Sequence, residues 1–228
     1  MSSESIARPR TPGVDWGRAE IVLTLLAFVG FITLPIRIST VYGGLPAHPL
    51  FVHVPVVLIP VTVVAAVLFM LRPAWLARYG IALSAASIVA MSSIFLTMQA
   101  GSALRRELNL QGSAAKLISE HAHAAHILAI VYVAFTALAI VSFAAQRISG
   151  GWPTGLALAD RPLASAGAFK ALRMLVVIVA IVCGYMVFRT GDLGAKAVWQ
   201  GRLQAAAHGP PAGGQPGEGG GPPGQPAP

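Results

Sequence analysis

Apolar residues gather into five long runs, and the charged residues are confined almost entirely to the gaps between them. The runs are Ala19–Ile36, Pro49–Leu71, Tyr79–Ala100, His121–Ala145 and Ala171–Phe188. A helix needs about 20 apolar residues to cross the hydrocarbon layer of a bilayer, so each run predicts a transmembrane helix. The expected class is all-α: an integral membrane four-helix bundle preceded by one N-terminal transmembrane anchor helix. The first run exceeds the 7–15 apolar residues, roughly, of a signal-peptide core and lacks an obvious cleavage site, which predicts a retained anchor. Pro35 is expected to end or kink it.

The gaps define the rest. Pro55 and Pro60 lie inside the second run and predict a bend just past His53. The third run is rich in Ala and Ser, including Ser84, Ser87, Ser92 and Ser93, which lets helices approach closely in lipid. Arg72–Arg78 predicts a tight basic loop. The stretch from Gly101 to Glu120 is too charged to span and predicts a short interfacial helix. Gln146–Lys170 is long enough to fold over one face. After the fifth run comes TGDLGAKAVWQGRL, Thr190–Leu203, where Asp192 either fixes a helix-ending turn or pairs with Lys196. From Ala205 the chain is rich in Gly and Pro and cannot bury enough surface to fold. The expected divisions are a disordered cytoplasmic arm (1–18), the anchor helix (19–36), the four-helix domain (47–203) and a disordered tail (204–228).

Composition agrees with the pattern. Only 11% of the 228 residues are charged and mean hydropathy is +0.70, against about 25% charged residues in soluble domains. The net charge of +8 lies in residues that flank apolar runs, so it describes membrane topology and not nucleic acid binding. With the N-terminus inside, basic residues divide nine to seven in favour of the cytoplasmic segments of an inner bacterial membrane. This orientation puts the starts of the second and fourth helices, and the C-terminal tail, on the outer side. The single Cys183 excludes an intramolecular disulfide, a Cys-rich zinc site and a c-type haem motif. The chain has no Ser/His/Asp set, carboxylate pair or HExxH motif, which argues against hydrolase chemistry.

Candidate chemistry rests on histidine. Five of the six mark the mouths of two apolar runs: His48 and His53 in AHPLFVHVPVVLIP, and His121, His123 and His126 in EHAHAAHI. His53 and His126 sit at comparable depth, roughly one turn inside. Neutral imidazoles on facing helices with apolar walls suit a b-type haem, with Ala124 and Ala125 leaving room and Arg37, Arg105 or Arg106 meeting the propionates. A second arrangement is a copper or zinc site from His48, His121 and His123 with Asp192 or Glu120. It has to overcome the divergence of about 200° between helical positions two apart. A third gives these side chains only structural work, as caps, solvated interfacial groups or donors to backbone carbonyls. Trp152 and Trp199 fit interfacial anchors.

The HPLFVHVPVVLIP run, the Ala-rich helix, the opening HAHAAHILAI and the closing TGDLGAKAVWQGRL resemble the bacterial membrane family called domain of unknown function 2231. That family has four core helices, an HP-x-x-x-H-x-P type opening and a glycine-rich closing motif near a Val-Tyr pair. The resemblance covers Ala47 to Leu203. Carried over, its marked positions are His48, His53, His126, Gly191, Gly194 and Trp199. This chain has Val198-Trp199 at the closing pair, and no acidic residue in its third run. The resemblance implies the fold and a redox neighbourhood in the membrane. The resulting expectation is a membrane subunit of a respiratory or related electron-transfer assembly. It would carry one b-type haem between His53 and His126 and pass electrons between quinol and periplasmic or membrane redox subunits. The alternatives are a cofactor-free accessory subunit and an outward-facing metal-ion binding protein.

Overall fold

A computed structural model describes residues 16–33, 41–42, 45–108, 112–151, 157–163 and 165–208. The expected arm before Trp16 and the expected tail after His208 lie outside the described residues. Seven helices are present among them: α1 (Trp16–Thr33), α2 (Ala47–Phe51), α3 (His53–Leu71), α4 (Pro73–Glu107), α5 (Gly112–Ser149), α6 (Ala157–Leu163) and α7 (Ala166–His208). A two-residue antiparallel bridge, Val41–Tyr42 with Leu45–Pro46, precedes α2.

Four segments are long and apolar enough to cross a membrane: Ala47–Leu71, Pro73–Glu107, Gly112–Ser149 and Ala166–Trp199. Helix α3 packs on α4 and α7, and α5 packs on α4 and α7, which closes a four-helix ring. Lipid offers the backbone no hydrogen bonds, so even the Val-rich α3 is helical despite the modest helix propensity of β-branched residues. Helix α1 packs against α4 and α5, with Phe28 resting on the bundle core.

The core is carried by Tyr132, Phe135 and Phe143 of α5, facing Ile59 and Met70 of α3, Leu76 and Met91 of α4, and Val176 and Cys183 of α7. Phe143 lies directly on Gly80, where any Cβ would overlap its ring. Tyr132 contributes a buried side-chain hydrogen bond across the bundle, 2.7 Å between its hydroxyl and Thr62 Oγ1. Thr62 Oγ1 also lies 2.8 and 3.0 Å from the carbonyls of Leu58 and Ile59, which can accept its hydrogen.

The helices are longer than the apolar runs that predict them. The basic loop expected at Arg72–Arg78 contracts to Arg72 alone. Pro73 drives the residue before it out of the helical region (φ −126°, ψ 89°) and then occupies the first turn of α4, where its missing N–H costs nothing. Beyond Ala100, α4 continues to Glu107, and α5 begins at Gly112 with a φ of +64° that suits glycine. The charged 101–120 stretch is thus two helix ends and not a separate interfacial helix. Ser165 caps α7, its hydroxyl accepting the Ala168 N–H at 3.2 Å. The largest difference lies in α7, which runs unbroken through TGDLG instead of turning there, and on through Gln204–His208, where three alanines favour helix. At 1.5 Å per residue its 43 residues extend about 65 Å, twice the hydrocarbon thickness.

Candidate functional site

The prolines of AHPLFVHVPVVLIP set the geometry of the site. The Pro55 ring opposes the Phe51 carbonyl four residues earlier and removes one helical hydrogen bond there, while the backbone of Val52 between α2 and α3 stays helical (φ −61°, ψ −26°). The α2 turn thus leads directly into α3 and packs against α4. His48 sits within it, half-buried. Its Nδ1 lies 3.0 Å from the Thr97 carbonyl of α4. On the other side of the bundle, His121 Nδ1 lies 2.9 Å from the Thr190 carbonyl of α7.

The two docking surfaces are built alike. Thr97 and Gly101 are four apart on α4, in TMQAG, and Thr190 and Gly194 are four apart on α7, in TGDLG. Each histidine rests on the bare glycine and donates to the carbonyl one turn earlier, a carbonyl whose regular helical partner is that glycine's own N–H. A Cβ at Gly101 would lie 2.8 Å from His48 Nδ1, and one at Gly194 would lie 3.1 Å from the His121 ring. Gly194 is therefore a contact surface within a helix, not part of a turn. Gly191 has open space where its Cβ would be. Asp192 pairs with Lys196 at 2.7 Å along α7, and Trp199 is exposed further on.

These hydrogen bonds determine the chemistry of the rings. A carbonyl only accepts, so Nδ1 carries the proton in each neutral imidazole and Nε2 keeps its lone pair. The rings are 6.2 Å apart between centroids and nearly perpendicular, at 84°. Both line a cavity of about 390 Å³. Its walls are mostly aliphatic, with Ile59, Ile94 and Leu128 at the inner end and Arg105 among the few polar residues. That volume lies within the roughly 300–1,000 Å³ of ligand pockets.

The structure brings together His48 and His121, one from each sequence cluster. It does not bring together His53 and His126. His53 is exposed, and His126, also exposed, directs Nδ1 to the Ala122 carbonyl of its own helix at 2.8 Å while touching the cavity rim. The physical reason is spacing. His48 and His53 are five apart, as are His121 and His126, and five helical residues turn the direction by about 140°. When the first of each pair faces inward, the second faces away. His123 is exposed and does not join His48 and His121. Among the described residues no three His, Cys, Asp or Glu side chains are placed to hold one metal ion. Thr97 and Gly101 escaped the sequence reading. Their signal was the Thr-x-x-x-Gly spacing shared with Thr190 and Gly194.

A four-helix membrane bundle with an inward-facing histidine pair at one mouth is the class this geometry defines. The chain belongs to the family described as predicted membrane protein (DUF2231), whose match runs over residues 44–207. That span takes in the four-helix bundle and both Thr-x-x-x-Gly surfaces. No curated protein matches the chain, and no solved structure does.

Proposed function

We propose that the protein is an integral membrane subunit of an electron-transfer assembly, and that His48 and His121 would hold one b-type haem. The observation carrying this reading is the pair itself: two imidazoles braced by different helices, each with Nδ1–H donated to a helix carbonyl and Nε2 left with the lone pair that can ligate a metal. A hydrogen bond from the other ring nitrogen to a carbonyl orients a ligating histidine and raises its basicity. A bare structural zinc ion usually takes four ligands from the protein. With no third His, Cys, Asp or Glu beside them among the described residues, the two histidines suit a group that brings its remaining donors with it, as a porphyrin does. Aliphatic walls and the small side chains of Ala122, Ala125 and Ala197 suit a flat apolar ligand, and Arg105 is placed for a propionate. Bound there, a haem supplies one-electron transfer.

In this reading α1 is a fifth span, the N-terminus is cytoplasmic, and the site faces outward from a bacterial inner membrane. Quinol and a periplasmic or membrane redox subunit are the exchange partners. A second reading, the cofactor-free accessory subunit, has support of its own. The same two hydrogen bonds join α2 to α4 and α5 to α7, and that bracing stabilises the mouth with nothing bound.

The test is a reduced-minus-oxidised visible spectrum of the purified protein. A b-type band is expected, lost in both His48→Ala and His121→Ala and kept in His53→Ala and His126→Ala. Folded protein with no extractable haem would overturn the reading and leave the accessory subunit. A band that depends on His53 and His126 instead would return the ligands to the pair expected from depth alone.

A further inference from the structure

The end of the bundle opposite the histidines carries a different cluster. Four arginines lie over aromatic rings there: Arg72 over Trp75 at 4.9 Å, Arg78 over Tyr79 at 5.3 Å, Arg147 over Phe143 at 5.2 Å and Arg173 over Phe169 at 5.6 Å. The first two share one platform. Trp75 and Tyr79 both pack against Phe69, with ring centroids 6.3 and 6.0 Å away. Arg72 and Arg78 thus bracket a single aromatic group at the α3–α4 junction, and both are exposed. Trp75 and Tyr79 are themselves 38% and 43% exposed, although each is large enough to anchor a core.

The sequence has no acidic residue between Glu20 and Glu107, so α3 and the first turns of α4, which carry Arg72 and Arg78, hold no carboxylate of their own. Stacking occupies the face of a guanidinium and leaves its N–H edge free, already oriented. That edge matches two oxygens of a phosphate. Exposed Trp and Tyr beside it are the side chains that settle at headgroup level, with the ring body toward the acyl chains. In a membrane protein, the phosphate that reaches such a place carrying two acyl chains belongs to a lipid.

We propose that Arg72 and Arg78 bind the headgroup phosphate of an anionic phospholipid, with Trp75 and Tyr79 flanking its glycerol and upper acyl chains. The attraction is to net negative charge as well as to phosphate, so a zwitterionic lipid binds more weakly. The site lies at the far end of the bundle from the cavity and does not depend on whether a cofactor occupies it.

Buried Cys183 provides the readout, because a thiol-reactive dye reaches it only as the bundle opens. The melting midpoint of detergent-purified protein is measured with added phosphatidylglycerol, phosphatidylcholine or inorganic phosphate. Phosphatidylglycerol is expected to raise the midpoint by several degrees, as a ligand of the folded state must. Phosphatidylcholine is expected to raise it less, and phosphate alone hardly at all. The phosphatidylglycerol shift is expected to vanish in R72Q/R78Q and to persist in R106Q/K116Q at the other end. R72K/R78K, which keeps the charge and lacks the fork, retains a reduced shift and covers the case of a glutamine variant that does not fold. Equal shifts with the two lipids, or an undiminished shift in R72Q/R78Q, would overturn the proposal. A full shift from inorganic phosphate would also overturn it, because the site would then be a bare anion site.

Discussion

Gly101 and Gly194 occupy the same position in two helices, yet their substitution has different expected costs. Replacing an unhindered helical glycine with alanine gains about 1 kcal/mol from helix propensity. Gly184, with nothing near its Cβ position, should show that gain as a raised melting midpoint. At Gly101 the new methyl would meet His48 Nδ1 at 2.8 Å, and the ring is held in place by the Thr97 carbonyl. Overpacking of this kind costs about 1–3 kcal/mol, so Gly101→Ala is expected to give a net loss and to weaken any His48-dependent absorption band. Gly194→Ala, at 3.1 Å from His121, should fall near zero because the two effects nearly cancel. A midpoint raised equally by all three substitutions would show that the histidines are not seated on the glycines. Histidine as the chemistry-bearing residue was readable from the sequence. Which histidines face inward was not, because depth along a helix and direction around it are separate quantities and only depth follows from counting. The five-residue spacing within both clusters did limit the answer to one of each pair.

At the scale of the element, existence and type were readable from hydropathy, while length was not. Apolar runs mark only the part of a helix inside lipid. The polar turns at the ends of α4, α5 and α7 stay helical because the backbone continues to satisfy itself where no proline stops it, and TGDLG became helix on those terms. Its two glycines read as a turn, but Asp192 and Lys196 are spaced for an i,i+4 ion pair, and that pair forms along α7. Proline gave the firmer signal. Arg72–Pro73 ends one helix and starts the next, whereas Pro55 removes a single hydrogen bond where α2 leads into α3. Pro55→Ala restores an N–H there, so the Phe51 carbonyl is expected to regain its helical partner. Hydrogen–deuterium exchange should then slow across Val52–Val56. Unchanged exchange there would mean that the packing of α2 on α4, and not the proline, limits the stability of this turn.

For the whole molecule, the four-helix ring follows from four long apolar segments, two of the three connections between them short and the third carrying α6, which leave neighbouring helices antiparallel. The count of spans determines where the ends emerge. With α1 crossing as a fifth span, reporters fused to the N- and C-termini should lie on opposite sides of the membrane, the N-terminal one in the cytoplasm. Both reporters on one side would make α1 a helix lying against the bundle and would leave four crossings. The family match covers the bundle and ends just short of the last described helical residue, so α1 lies outside what the family shares.

The paired histidines have one more consequence, which comes from their supports. His48 is braced within the α2–α3–α4 hairpin and His121 within the α5–α7 hairpin, each by the same Thr-x-x-x-Gly arrangement. At this mouth, therefore, each half of the bundle carries one histidine seated on a Thr-x-x-x-Gly surface of its own. Neither ring is tied to the opposite half, so any slip or rotation of one hairpin against the other alters the distance between them directly. The histidine pair is a built-in gauge of how the two halves sit, and whatever grips both rings clamps the halves together.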